Sequence, residues 1–343
     1  QVDYTAGKAN TNVVAHAGRV LALVENALPT EVDTDLETIG VYDFAGKLNG
    51  PMTAHPKICP RTGELHFFGY SFFPPFLTYH VADREGRLVR SEGIDVRGPT
   101  MMHDFAITEN HIVFMDLPIV FDLERAMSGD MPYVWSDDYG ARLGVLPRGG
   151  TSADVRWSEI EPCYVFHPAN AFERDGQLVI DVARYPQLWA GGPESFTSAN
   201  LHRWSVDLAT GRVAEQALDD RPIEFPRIDD RRNGSAHRYV YAVAGFQIDA
   251  VEGGADLVRY DQEGGATQTH AFGPGRMPGE GVFVATGDGE DEGLVLAFVF
   301  DQARDGSELV VLDAARIDRE PVARIELPRR VPFGFHGNWV PAG

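Results

Sequence analysis

The chain has 343 residues, 43% hydrophobic and 24% charged, enough apolar side chain to bury a core. A formal net charge of −21 repels phosphate backbones and excludes a nucleic-acid partner. Two cysteines, Cys59 and Cys163, stand in no C-x-x-C spacing; they exclude a disulfide framework and fit free thiols in a reducing cytoplasm. No apolar run approaches the ~18 residues a membrane span needs; the longest, Leu294 to Phe300, has the length of a strand. The chain opens on Gln1 rather than Met, so a targeting segment could have stood before it.

Taken in order, the chain reads as short apolar runs separated by Asp/Gly turns. Leu77-Thr-Tyr-His-Val81 is followed by the turn Asp83–Gly86 and by Arg87-Leu-Val89. The stretch from Gly140 to Ala153, with Gly140, Gly144, Gly149 and Gly150, is expected to be a long loop. The strand and turn grammar returns in Trp204–Val213, in Leu257–Gly264, and in Phe298–Gly306 leading into Leu309–Leu312. Each such unit predicts a hairpin, because Gly and Asp tolerate the positive φ of tight turns. No amphipathic stretch of helical period runs longer than about three turns.

Many hairpins without βαβ alternation predict an all-β fold. A ring of four-stranded blades accommodates them with few exposed edges, and at ~40–50 residues per blade this length makes roughly seven. A large β-sandwich stays open on pattern alone. No domain boundary is visible, so residues 1–343 are expected to form a single domain.

Of the eleven histidines, none stands in H-E-x-x-H, H-x-H or facial-triad spacing. Four share a setting. His55 lies in Met52-Thr-Ala-His-Pro-Lys57, His103 in Thr100-Met-Met-His-Asp-Phe105, His167 in Tyr164-Val-Phe-His-Pro-Ala-Asn170 and His336 in Pro332-Phe-Gly-Phe-His-Gly-Asn-Trp339. Each is flanked by apolar and turn-forming residues, as at a strand end pointing into a dry interior. His16, His66, His80, His111, His202, His237 and His270 instead sit in polar hairpin surroundings or alternate along strands. Four imidazoles from distant segments could meet on a propeller axis, where they would suit iron, copper, zinc or nickel. Carboxylates on their second nitrogens would orient the rings, and Glu25, Glu224 and Glu280 stand in apolar settings that fit this use.

These segments resemble the carotenoid cleavage oxygenase family. Matching blocks run from Asn10–Glu25 through Thr53–Lys57, Gly69-Tyr70 with Pro74-Pro75, His103–Pro118, Arg142–Arg148 and Phe166–Glu173. They continue with Glu224–Asp229, Arg238-Tyr239, Gly279-Glu280 and the terminal Phe335-His-Gly-Asn-Trp339, in the family's order over nearly the whole chain. The resemblance implies a seven-bladed β-propeller with a loop and helical lid over an iron face. It also implies that the chain begins after an N-terminal segment present in the family. It assigns Fe(2+) to His55, His103, His167 and His336. Carboxylates behind the ligands fall at Glu25, Glu224 and Glu280, and Thr11 falls beside the open position for dioxygen.

The implied reaction is cleavage of a conjugated C=C bond by O2 into two carbonyl products, with an apolar polyene or stilbenoid substrate. Phe72, Phe73, Phe76, Met101 and Met102 are candidates to line its tunnel or, equally, to pack in the core. The lignostilbene-cleaving branch carries a Lys immediately before the first of the three carboxylates, where this chain has Val24; that favours a carotenoid or apocarotenoid. A stilbenoid dioxygenase, or a propeller that binds an apolar ligand without cleaving it, are the alternatives. Retention of all four His, three Glu and Thr11 argues against a pure binder. The location expected is cytoplasmic, with room for peripheral contact with a membrane; oligomeric state is not readable.

Overall fold

The computed structural model describes residues 3–245, 251–332 and 336–341. Successive antiparallel strands fold into four-stranded meanders. The first sheet holds Asn12–His16, Arg19–Leu23, Thr30–Val32 and Thr38–Val41, and the second Lys57–Ile58, Leu65–Tyr70, Leu77–Ala82 and Leu88–Ile94. The third pairs Ala106–Ile107, His111–Asp116, Ala141–Pro147 and Arg156–Ile160. The fourth holds Tyr164–Arg174, Gln177–Tyr185, Asn200–Asp207 and Val213–Ala217, and the fifth Ile223–Arg227, Tyr239–Ala244, Asp256–Asp261 and Thr267–Ala271. In the sixth, Arg276–Pro278 and Val282–Ala285 both pair with Gly293–Asp301, which is followed by Gly306–Asp313 and Ala323–Glu326.

Burial follows from stacking these sheets as blades. Middle strands such as Leu65–Tyr70 and Tyr239–Ala244 are buried on both faces, since each sheet lies between two others. Last strands such as Val213–Ala217 and Ala323–Glu326 are almost wholly exposed, as at the rim of a propeller. The first strand of the fourth sheet abuts the first strands of the third and fifth, so first strands line the axis. Asn338 Nδ2 donates to Val13 O at 2.8 Å, which joins the C-terminal segment to the first sheet.

The described residues form six blades, against the seven expected. Chain that a length-based count gives to a seventh blade goes elsewhere. Ile119–Phe121 and Tyr133–Trp135 make a separate hairpin with the helix Leu123–Ser128 between them. Asp122 caps that helix by accepting from Glu124 N and Arg125 N, and Gly129, at φ 84°, ends it. The hairpins predicted at residues 77–89, 204–213, 257–264 and 298–312 are present.

The predicted loop at 140–153 is mostly wrong, because Ala141–Pro147 is a central strand of the third sheet. Gly144 misleads there. It sits opposite Trp157, and a Cβ added to it would lie 2.5 Å from the indole ring, so this glycine makes room for a side chain rather than a turn. Among the described residues no helix is long and apolar enough to cross a membrane. Cys59 and Cys163 are buried and free.

Candidate metal centre

The four histidines singled out from their settings converge. One ring nitrogen from each of His55, His103, His167 and His336 lies within 4.8 Å of the other three. Nε2 of His55 and Nε2 of His103 are 3.0 Å apart, and Nε2 of His103 and of His167 3.3 Å. Metal–nitrogen bonds of about 2.1 Å at right angles place neighbouring donors about 3 Å apart, so this spacing fits one transition-metal ion.

Local irregularities aim these groups. His55 and His103 precede the first strands of the second and third sheets, Lys57–Ile58 and Ala106–Ile107. Thr53 ties the two together: its Oγ1 accepts from His55 N at 3.0 Å and donates to His103 O at 3.3 Å. His167 lies inside the first strand of the fourth sheet, where the register shifts on both sides of Pro168. Proline offers no N–H to the ladder, and the bulge turns the imidazole toward the axis. Glu224 sits at a matching shift in the fifth sheet, followed by Phe225 at φ 53°, a left-handed conformation uncommon for a bulky residue.

Three rings have a carboxylate on the other nitrogen. His103 Nδ1 is 3.1 Å from Glu25 Oε1, His167 Nδ1 is 2.6 Å from Glu224 Oε2, and His336 Nδ1 is 2.9 Å from Glu280 Oε2. A carboxylate there holds the ring proton on Nδ1 and leaves the Nε2 lone pair facing inward. Lone pairs meeting at 3.0 to 3.3 Å repel unless a cation lies among them, and His336 Nε2 is buried with no hydrogen-bond partner. The donor set therefore fits a metal ion. His55 differs, since its nearest carboxylate, Asp104 Oδ2, stands 3.7 Å from Nδ1. Asp104 is instead held by Lys57 Nζ at 2.8 Å and Phe105 N at 2.6 Å.

Burial, reinforced by the neighbouring rings, keeps His55 and His167 well below the ordinary histidine range. Burial is the largest influence on His103 and opposes its charge, but Glu25, Asp104 and Glu224 together outweigh it and raise that ring. Burial lifts Glu224 to about 7. Against the same burial, Arg227 and His336 hold Glu280 down at about 2.

The centre has two unlike sides. Phe166 meets His103 edge to face at 5.1 Å between centroids, and Phe225 lies 5.1 Å from His167. Beyond Phe166 stand Tyr164, Tyr185 and Trp189. On another side a cavity of about 450 Å³ is lined by His55, His167 and His336 together with Lys57, Asp104 and Arg227.

Of the sequence-predicted residues, the structure brings together the four His and three Glu. Thr11 is half-buried at the edge of the first sheet; its N–H donates to Leu23 O at 3.0 Å, two residues before Glu25, and its hydroxyl lies 3.5 Å from Asn10 Oδ1. Met101 and Met102 are core residues, Phe73 is 60% exposed, and Phe72 stacks on Phe121 at 4.6 Å. Phe335 of the terminal motif lies outside the described residues. Sequence reasoning gave no role to Thr53, Asp104, Tyr185 or Arg227; no spacing marks them, since each binds a partner in a distant segment, Thr53 to His103, Asp104 to Lys57, Tyr185 to Glu224 and Arg227 to Glu280.

An all-β propeller with four imidazoles on its axis and carboxylates behind three of them defines a metalloprotein site. The profile of the retinal pigment epithelial membrane protein family matches residues 3–341. The chain belongs to that family, the carotenoid cleavage oxygenases, whose members include dioxygenases. It is 38% identical to a carotenoid cleavage oxygenase of Mycobacterium tuberculosis, over 98% of this chain and 77% of the relative. It is 36% identical to a carotenoid 9,10(9',10')-cleavage dioxygenase 1 of Pisum sativum, over 99% of this chain and 68% of the relative. Among solved structures, Pseudomonas brassicacearum lignostilbene dioxygenase superposes with a TM-score of 0.89 at 33% identity, over 98% of this chain and 76% of that one. Cobalt-substituted Synechocystis apocarotenoid oxygenase does so with a TM-score of 0.86 at 28% identity, over 97% and 74%.

Proposed function

We propose that this chain is a non-haem iron(II) dioxygenase that cleaves one conjugated C=C bond of a carotenoid or apocarotenoid, placing one oxygen atom of O2 in each of two carbonyl products. The observation that carries this reading is the convergence of four inward-facing imidazoles, three of them backed by carboxylates.

On this reading His55, His103, His167 and His336 hold the metal. Iron(II) held there would supply the unpaired-electron centre that lets triplet dioxygen react with a closed-shell olefin, the olefin itself supplying the electrons that reduce O2. Neutral imidazoles leave the ion its full charge, and Glu25, Glu224 and Glu280 offset that charge from behind while fixing the rings. Phe166 and Phe225 pack against His103 and His167 and would offer a polyene a flat apolar contact. Thr11 is assigned to flank the position where dioxygen enters.

Substrate choice rests on position 24. A phenolic hydroxyl would be held by a cation beside Glu25, and this chain has the half-buried Val24 there. A second reading, cleavage of a lignostilbene, is favoured by the likeness to the lignostilbene dioxygenase. Iron-loaded protein incubated with an apocarotenal and, separately, a hydroxystilbene decides between them by the masses of the aldehydes formed. Cleavage of the apocarotenal supports the proposal, cleavage of the stilbene alone replaces it with the second reading, and cleavage of neither leaves a ligand-binding propeller.

A further inference from the structure

We infer that Arg227, Asn338 and Asn12 form a polar latch that positions two of the four metal ligands, His336 and His55. The inference rests on reading the four histidines as ligands and goes beyond it by naming what holds the pair with the least support from regular strands. His336 belongs to residues 336–341, which form no strand, and His55 is the ring whose nearest carboxylate is too far away for a hydrogen bond.

The latch is a continuous run of hydrogen bonds. Glu280 accepts from His336 Nδ1 at 2.9 Å, from Gly337 N at 3.2 Å and from Arg227 Nη1. Arg227 also donates to Gly337 O at 3.2 Å, to Asn338 Oδ1 at 3.0 Å and to Asp230 Oδ2 at 3.1 Å. Asn338 Nδ2 donates to Asn12 Oδ1 at 2.9 Å and Val13 O at 2.8 Å, and Asn12 Nδ2 donates to Ala54 O at 2.7 Å, the residue before His55. Every donor points the same way, from Arg227 through Asn338 and Asn12 to Ala54, so each bond polarises the next.

Its two ends are the ligands that face each other across the closure of the ring, with His55 and His336 4.4 Å apart between centroids. Asn12, Arg227 and Asn338 line the cavity of about 450 Å³ that also reaches both imidazoles. Isosteric changes at the two asparagines therefore alter polarity in a cavity wall without changing the packed volume of the core. The three are positioning residues, acting through their bonds to Gly337, Val13 and Ala54.

The test uses Co2+ added to metal-free full-length protein, reading its visible absorption and its rate of loss to a chelator. Asn338→Asp keeps the acceptor for Arg227 but removes the donors to Asn12 and Val13. Asn12→Asp keeps the acceptor for Asn338 but removes the donor to Ala54. Each is expected to release Co2+ about tenfold faster, the usual scale for losing an outer partner of a ligand, and to alter the absorption because a ligand has shifted. Release at the wild-type rate, or an unchanged absorption with only a lower melting temperature, would overturn the latch. Failure of wild-type protein to bind Co2+ would instead overturn the metal site on which it rests.

Discussion

The Glu224 carboxylate serves three partners, accepting from His167 Nδ1 at 2.6 Å and from Phe225 N through Oε2, and from the Tyr185 hydroxyl at 2.9 Å through Oε1. Glu224 and Tyr185 are both buried, and the carboxylate is raised to about 7 by that burial. Tyr185 is thus one step removed from His167, a proposed metal ligand. Tyr185→Phe removes the donor to Oε1, and we expect metal affinity to fall about tenfold and stability to fall by about 1–3 kcal/mol. Chelator competition and urea unfolding measure the two; wild-type affinity in this variant would remove Tyr185 from the support of His167.

The Lys57–Asp104 pair makes a different prediction. Asp104 is 2% exposed and bound to Lys57 at 2.8 Å. Lys57→Met leaves a buried carboxylate without its cation and is expected to cost about 3 kcal/mol. Adding Asp104→Asn should recover part of that loss. Urea midpoints of the single and double variants read this, and a double variant less stable than Lys57→Met contradicts it.

What the sequence made legible, and what it hid, divides along physical lines. Hairpins were readable because turn residues and β-rich runs are local. The strand Ala141–Pro147 was not, because Gly144 answers to Trp157, a residue thirteen positions on with which it pairs across two strands. The blade count failed in part for a similar reason, since nothing local marks Ile119–Trp135 as a hairpin and helix outside the blades. The four clustered histidines were separable by setting, but not because the others are polar surface residues. His66 and His237 are just as buried, and each has a polar neighbour, Tyr79 at 2.6 Å and Asp181 at 3.3 Å. Convergence on one point distinguishes the four, and it belongs to the fold.

Glu173 gives a pH prediction away from the metal. It accepts from Asn110 N at 3.1 Å, Asn110 Nδ2 at 2.9 Å and His111 Nδ1 at 2.9 Å, and from the Thr108 hydroxyl. Burial opposes its ionisation, but these donors outweigh it and lower the acid to about 2 from an ordinary 4.5. The folded-state value is depressed, so its contribution is fully present above about 4.5 and is lost as pH falls toward 2. Glu173→Gln should therefore lose stability near neutrality and show a shallower decline between pH 4.5 and pH 2. Melting temperatures across that window measure it; parallel curves for the two proteins contradict it.

Gly144→Ala tests the corrected strand. Its Cβ would meet the Trp157 ring at 2.5 Å, closer than the indole can accept without moving. A loss of about 1–3 kcal/mol is expected, and Gly144→Ala with Trp157→Phe should lose less than the sum of the two singles. Full additivity would mean that the glycine answers to something other than the ring.

The central claim is that these four imidazoles hold the iron, and the iron content of purified His167→Ala beside wild type tests it most directly. His167 lies within the cluster, its Nε2 3.3 Å from that of His103 and its Nδ1 bound to Glu224. The account predicts iron in near-equal stoichiometry with chain for the wild type and almost none in the variant. A variant that keeps the wild-type iron content would contradict it.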